Sequence, residues 1–169
     1  MDIKFVCPRS NEVLTEQACE KNYEYEACRG CTSQQTAARK ALFDMLKKEY
    51  NDRAEFAMRE DGVLITVRDE LSILADPGDW RDTYVGIDCG KYGETHTHPQ
   101  DVFQWVKEFF AGRIFILLNE DDLCSATLYI SQAACWEGWN EWKWSADVFG
   151  VRPAEEYAVA KGFVRKKSN

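Results

Sequence analysis

The apolar positions along the chain change their spacing several times, and each change predicts an element. Between residues 33 and 50 they recur every three or four positions, as on one face of an α-helix. Thr32 and Gln35 have the spacing of a capping box at the start of this helix, and we expect it to end near residues 51–52. Its predicted buried face consists of Ala38, Ala41, Leu42, Met45, Leu46 and Tyr50.

Alternation of apolar and polar residues then predicts strands over residues 54–59 and 63–69. Asp61-Gly62 between them is a hairpin signal, because both turn positions need a positive φ. The composition of residues 75–79, with Pro and Gly at their centre, predicts a loop. A third strand is predicted over residues 83–89.

The C-terminal half repeats this mixture of helix and strand. Pro99 and Asp101 predict the start of a helix, and Gly112 is expected to cap its end. Its predicted buried stripe is Val102, Trp105, Val106, Phe109 and Phe110. Further strands are predicted over residues 114–118, 123–130 and 142–149, with a short helix after Pro153 and before Gly162.

Together these elements predict an α+β fold with a small N-terminal four-cysteine metal-binding module. The module covers residues 1–31, and an α+β domain with a mixed or antiparallel sheet and helices on one face covers residues 32–169. Residues 1–31 hold few large apolar residues, with one helical turn expected after Thr15 as N-cap. A segment this short normally needs a metal or crosslinks to keep its shape.

Composition and charge narrow the classes of function. Hydrophobic residues make up 45% and aromatic residues 13% of the 169 residues, which is enough for a sizeable core. No apolar run has the length of about 20 residues that spans a bilayer, and the first residues lack the pattern of a secretory signal, so we expect a cytoplasmic protein. The formal net charge of −8 is concentrated in residues 54–150, which sum to −11. An acidic body disfavours contacts with a phosphate backbone.

The cysteines of the first unit give the clearest chemical signal. Cys7, Cys19, Cys28 and Cys31 are spaced C-x11-C-x8-C-x2-C, and clustered thiols in a reducing compartment commonly share a metal. Four thiolates satisfy the tetrahedral coordination of structural Zn²⁺ and leave no open position for catalysis. An iron–sulfur cluster also accepts four thiolates, and free or redox-active thiols are the third possibility. We expect zinc.

A second set of candidate ligands is Glu94, His96 and His98, which would share one side of an extended segment. The string from His96 to Pro99 resembles the metal motif of the JAMM family of zinc isopeptidases over four residues. That family also has a serine eight positions after the second histidine and an aspartate three further on. Val106 and Phe109 stand at those positions, so the family's activity is not carried over. The competing interpretation is a loop that leads into the helix at Pro99.

The run from Trp136 to Trp144 holds four of the six tryptophans. Core packing is the common use of such residues, and an exposed part of the run would fit a protein partner. Three functions therefore compete. The first is a non-enzymatic protein-interaction or accessory module with a structural zinc site. The second is a nucleic-acid-binding regulator that uses the four-cysteine module and the basic helix over residues 34–50. The third is a metal-dependent hydrolase that uses the second ligand set.

Overall fold

The structure is a computed structural model. It describes residues 3–20, 28, 31–67, 71–79, 82–87, 92–96, 99–118, 125–129 and 143–162. Helices and antiparallel sheets make up these residues, which confirms the α+β class. All strand pairings are antiparallel within the described residues.

The N-terminal part contains a short hairpin and two helices. Strands β1 (Lys4–Val6) and β2 (Val13–Thr15) pair with each other and are followed by α1 (Glu16–Glu20) and α2 (Ser33–Tyr50). The two strands were not foreseen, because three residues are too few to display a period. The turn of helix after Thr15 is confirmed, and Thr15 Oγ1 accepts a hydrogen bond from the Ala18 N–H at 3.4 Å.

Helix α2 buries the predicted face but starts differently from the prediction. Ala38, Leu42 and Leu46 are fully buried, and Ala41, Met45 and Tyr50 pack against them. Thr32 occupies the N-cap position, yet its side chain makes no capping hydrogen bond, so the predicted capping box is wrong. The backbone at Thr32 has φ −102° and ψ 1°, outside the β region from which an N-cap oxygen reaches the first N–H groups.

A five-stranded antiparallel sheet follows α2, with its strands paired in the order of the sequence. One face is apolar and buried: Val63, Ile65, Val67, Ile73, Ala75 and Val85 have no exposed surface. Helix α2 and helix α3 (Pro99–Phe110) both contact this sheet at β5 and share one core with it. The strands are β3 (Glu55–Arg59), β4 (Gly62–Val67), β5 (Leu71–Asp79), β6 (Asp82–Ile87) and β7 (Tyr92–His96).

The predicted loop at residues 75–79 is wrong, because these residues end β5, the central strand. A register shift between Asp76 and Asp79 accommodates Pro77 and Gly78. The Asp76 carboxylate stabilises this irregularity by accepting the Gly78 N–H at 2.8 Å and a two-point contact from Arg39 of α2 at 2.6 and 2.8 Å. The Asp76 side chain therefore stabilises the strand where Pro77 and Gly78 interrupt its regular pairing.

The hairpin between β3 and β4 is confirmed, but its turn lies one residue earlier than predicted. Arg59 pairs with Gly62, so the two loop residues are Glu60 and Asp61. Gly62 has φ +152°, and a Cβ there would lie 2.8 Å from the Ala75 carbonyl oxygen. Glycine is required at this position by the close approach of β5 rather than by the turn.

The C-terminal half forms a four-stranded sheet in the order β11-β10-β8-β9. Helix α3 and its buried stripe are confirmed, and Gly112 ends it with φ +67° and an N–H bonded to the Phe109 carbonyl at 2.9 Å. The strand that follows Asp147 in a tight hairpin was not foreseen. The remaining elements are β8 (Ile114–Leu118), β9 (Ser125–Tyr129), β10 (Trp144–Asp147), β11 (Gly150–Pro153) and α4 (Ala154–Ala160).

Several predictions concern positions outside the described residues. Of the tryptophan run, Trp136, Trp139 and Trp142 lie outside them, and Trp144 is half-buried in β10. The division at residue 31 stays a prediction, and Ile3 belongs to the same core as α2. None of the described helices is long and apolar enough to cross a membrane.

Candidate metal centre

Cys7 lies at the end of β1, where the chain makes a tight loop before β2. The Cys7 N–H donates to the Glu12 carbonyl and the Asn11 N–H donates to the Cys7 carbonyl, both at 2.8 Å. Asn11 has φ +56°, a left-handed conformation that asparagine adopts more readily than most residues. These two backbone hydrogen bonds close the loop.

The sulfur of Cys7 is held by donors from its own loop. The pKa of the Cys7 thiol is lowered, first by the Ser10 backbone N–H, then by the Ser10 hydroxyl and the Arg9 backbone N–H. Burial of the residue opposes this shift without reversing it. The Ser10 Oγ also accepts the Glu12 N–H at 3.4 Å. Metals are ligated by the thiolate and not by the thiol, and the lowered pKa favours the thiolate form of Cys7.

The other three cysteines of the predicted set lie on either side of a gap in the described residues. Cys19 is in α1, while Cys28 and Cys31 are joined by a turn in which the Cys31 N–H donates to the Cys28 carbonyl at 3.3 Å. Helix α2 begins two residues after Cys31. The positive end of its dipole favours negative charge nearby.

The four sulfurs do not form a closed site by themselves. Across the part of the chain that the structure describes, no three side chains of His, Cys, Asp or Glu lie together as a group that could hold a metal ion. Cys7, Cys19, Cys28 and Cys31 are free of disulfides. Residues 21–27, 29 and 30 lie outside the described residues. The four-cysteine ligand set, its metal and the alternative iron–sulfur cluster therefore stay predictions.

The second candidate set is described only in its backbone. Glu94 and His96 lie in β7, opposite Val85 and Thr83 of β6, so this segment is extended, as the ligand hypothesis required. His98 lies outside the described residues. Val106 and Phe109, which replace the polar residues of the JAMM pattern, are fully buried in the core. The hypothesis of a second metal site stays a prediction.

The basic side chains of α2 bear on the nucleic-acid alternative. Arg39 is bound to Asp76 at 2.6 Å, and its exposed fraction is 13%, while Lys40 pairs with Asp44 at 2.6 Å. The Lys47 ammonium lies 5.7 Å from the centre of the Phe43 ring. Two of the four basic side chains of α2, Arg39 and Lys40, thus already form ion pairs within the chain.

Sequence reasoning missed the role of Ser10. The spacing of the cysteines does not point to this residue, whereas hydrogen bonds from its N–H and its hydroxyl are the two largest causes of the lowered pKa of the Cys7 thiol. Pro8 and Asn11 were the available signals, because both favour a tight loop after the cysteine. No family model matches the chain, and no curated protein or solved structure matches it either.

Proposed function

We propose that the chain is a non-enzymatic protein-interaction or accessory module whose residues 1–31 bind a structural Zn²⁺ through Cys7, Cys19, Cys28 and Cys31. The observation that carries the proposal is the tight loop closed by the Cys7 and Asn11 backbone hydrogen bonds, in which hydrogen bonds from Ser10 and Arg9 lower the pKa of the Cys7 thiol. Donors of this kind stabilise a thiolate and orient it for coordination.

The turn between Cys28 and Cys31 supports the same assignment, since it keeps two thiols on one short loop. Zinc binding and the folding of small modules are coupled, so the four sulfurs need not be assembled before the ion binds. The zinc would supply crosslinking of the hairpin, α1 and the start of α2. With four thiolates bound it would have no open position for a substrate.

A protein partner is favoured over a nucleic acid by charge. The formal net charge is −8, and Arg39 and Lys40 of the basic helix already pair with carboxylates. A surface that neutralises phosphates needs several free cations, and its binding weakens steeply as salt rises. We therefore place recognition on the α+β body and a stabilising role on the four-cysteine module.

Metal content in matched variants tests the proposal. Protein purified without added metal and without chelator should contain one equivalent of zinc and be colourless. The zinc should be lost in Cys7→Ser and Cys28→Ser and retained in Cys135→Ser, which removes a thiol outside the set. A brown protein containing iron would move the assignment to an iron–sulfur cluster. Wild-type protein with neither metal, or with zinc that survives both ligand substitutions, would contradict the proposal.

Two further measurements separate the alternative functions. Binding to duplex and single-stranded oligonucleotides, titrated against salt, should show no steeply salt-dependent affinity; a steep dependence abolished by Lys47→Glu with Lys48→Glu would favour the nucleic-acid regulator. The double variant His96→Ala with His98→Ala should leave the metal content unchanged. Loss of a second metal equivalent in that variant would favour the hydrolase.

A further inference from the structure

Strand β3 is an edge of the five-stranded sheet as far as the described strands go, and most of its side chains are exposed. Among the described strands it pairs only with β4. Glu55, Ala57, Met58 and Arg59 are exposed, with Met58 at 45%, and only Phe56 is buried. An edge strand of this kind presents a row of unpaired N–H and C=O groups and is a template for another strand.

Proline and β-bulges, two of the usual protections against edge pairing, are missing from β3. It contains no proline or glycine, and its register with β4 is unbroken over all five pairs. In comparison, β7 at the opposite edge contains Gly93, and β11 at the edge of the other sheet ends in Pro153. The only charges in β3 are one acid and one base at its two ends, Glu55 and Arg59.

We propose that β3 pairs antiparallel with β3 of a second copy of this chain, around a twofold axis through Ala57. The two five-stranded sheets would then form one continuous sheet. In this register Ala57 faces its own counterpart, and Glu55 of each copy lies opposite Arg59 of the other. An isologous contact of this type is the commonest way in which identical chains associate.

The backbone restricts the possible registers. In an antiparallel pair of strands, two residues that lie opposite each other form one of two kinds of pair. Either both direct their N–H and C=O groups toward the other strand, or both direct them away from it. Alternate residues of β3 direct these groups toward β4 and toward solvent. The twofold axis must therefore pass through a residue and not between two residues, which leaves Phe56, Ala57 and Met58 as centres.

Charge then selects among the three centres. An axis through Phe56 would bring Arg59 toward Arg53 of the second copy, in the turn after α2, and an axis through Met58 would bring Glu55 toward Asp61, in the hairpin turn. Like charges directly opposite each other destabilise a strand pair, and opposite charges stabilise it. Only the axis through Ala57 places an acid opposite a base at both ends.

The helix-side face of the edge supports the same register. Phe56 packs there against Phe110 of α3, with ring centroids 6.1 Å apart, and Met58 lies two residues further along the same face. Pairing around Ala57 places the exposed Met58 of one copy beside Phe56 of the other. The Arg39 guanidinium donates a hydrogen bond to the Glu60 carbonyl. This contact stabilises the turn that follows β3.

The expected dimer is reversible. A pair of five-residue strands is small compared with the roughly 1,200–2,000 Å² buried by stable interfaces. Association should therefore depend on protein concentration. Reversing one end charge converts both symmetry-related pairs from attraction to repulsion and should weaken association by about tenfold or more.

Sedimentation equilibrium of the full-length protein at low ionic strength tests this proposal with four samples besides wild type. Glu55→Arg and Arg59→Glu alone should remain monomeric at concentrations where wild type dimerises. An equal mixture of the two should form a heterodimer, because both cross-strand pairs become complementary again. The doubly exchanged chain, Glu55→Arg with Arg59→Glu, should recover the wild-type association.

The mixture also serves as the control for folding, since two variants can pair only if each keeps an intact edge. Wild-type protein that is monomeric over the whole concentration range would overturn the proposal. Equal association of wild type and both single variants would overturn it as well, because it would place the contact on another surface. Failure of the mixture to associate, with wild type dimeric, would exclude the register centred on Ala57.

Discussion

The five-stranded sheet and the N-terminal hairpin are both antiparallel, but they are stabilised by different means. The sheet has strands of five to nine residues, and the central residues of its inner face are fully buried against α2 and α3. The hairpin has two strands of three residues, with Val6 and Val13 exposed and paired with each other on its outer side. A two-stranded ribbon of this size is not stable alone in water.

The two regions therefore differ in how much apolar surface their own strands bury. The sheet is stabilised by the apolar side chains that it buries against α2 and α3. The hairpin buries Phe5 and Cys7, and hydrogen bonds from Ser10 and Arg9 of its loop lower the pKa of the Cys7 thiol. Under the proposed function, a metal ion replaces the core that this segment is too short to form.

Removal of zinc should separate the two regions most strongly. Structural zinc contributes about 10–16 kcal/mol to the folding of small zinc-finger peptides, so a chelator that removes it should abolish amide protection in residues 4–20. Protection in β4 and β5 should remain. Hydrogen exchange followed by mass spectrometry measures both in one experiment. Equal protection of the hairpin before and after chelation would show that the hairpin does not depend on metal.

A cavity in the sheet should lower the stability of the sheet and leave the zinc content unchanged. Ile73 is fully buried in the central strand β5, and Ile73→Ala should lower the free energy of unfolding by about 2–5 kcal/mol. Denaturant unfolding followed by circular dichroism measures this loss, and zinc content should not change. The control is Ser72→Ala, one position away on the other face of the same strand. A loss below about 1 kcal/mol for Ile73→Ala would be inconsistent with the described core.

Gly62 and Gly112 differ in how closely other atoms approach them. A Cβ at Gly62 would lie 2.8 Å from the Ala75 carbonyl oxygen, whereas one at Gly112 would meet nothing within 4 Å. Both positions have a positive φ, which costs about 1–3 kcal/mol for other residues. Gly62→Ala should therefore destabilise the protein more than Gly112→Ala, because β4 and β5 must also separate. Equal losses in thermal unfolding would remove the argument for a close approach at Gly62.

The smallest expected effect is at the Cys7 loop itself. In zinc-free protein, Ser10→Ala removes the hydroxyl that donates to the Cys7 sulfur, so the pKa of the thiol should rise. Less thiolate is then present at neutral pH, and alkylation of Cys7 should be slower, with its pH profile displaced upward. Peptide mapping identifies the modified cysteine, and Ser33→Ala is the control. An unchanged pH profile of alkylation would show that the Ser10 hydroxyl does not lower the pKa of the Cys7 thiol.

The elements that could be predicted from the sequence are those whose pattern is long and local. Helices α2 and α3 each show an apolar stripe over several turns, and the predicted stripe residues lie in the core or pack against it, while the burial of Gln34 and Phe103 was not predicted. Strand β5 was missed because Pro77 and Gly78 indicate a loop, and nothing local reveals that Asp76 is bound by Arg39, 37 positions earlier in the chain. Strand order in the C-terminal sheet likewise depends on pairings between distant residues.

The candidate site could be predicted only as a set of residue types. Clustered thiols and the C-x-x-C spacing are visible in the sequence, and the turn from Cys28 to Cys31 agrees with that spacing. The donors on the Cys7 sulfur could not be foreseen, because they depend on how the loop folds around Asn11. The self-complementary ends of β3 are also plain in the sequence, but they gain meaning only when β3 is known to be an edge.

X-ray absorption at the zinc edge of the natively purified protein tests the central claim most directly. Coordination of one ion by Cys7, Cys19, Cys28 and Cys31 predicts a single shell of four sulfur atoms at about 2.3 Å. A shell dominated by nitrogen or oxygen at about 2.0–2.1 Å, or protein that holds no metal, would contradict it.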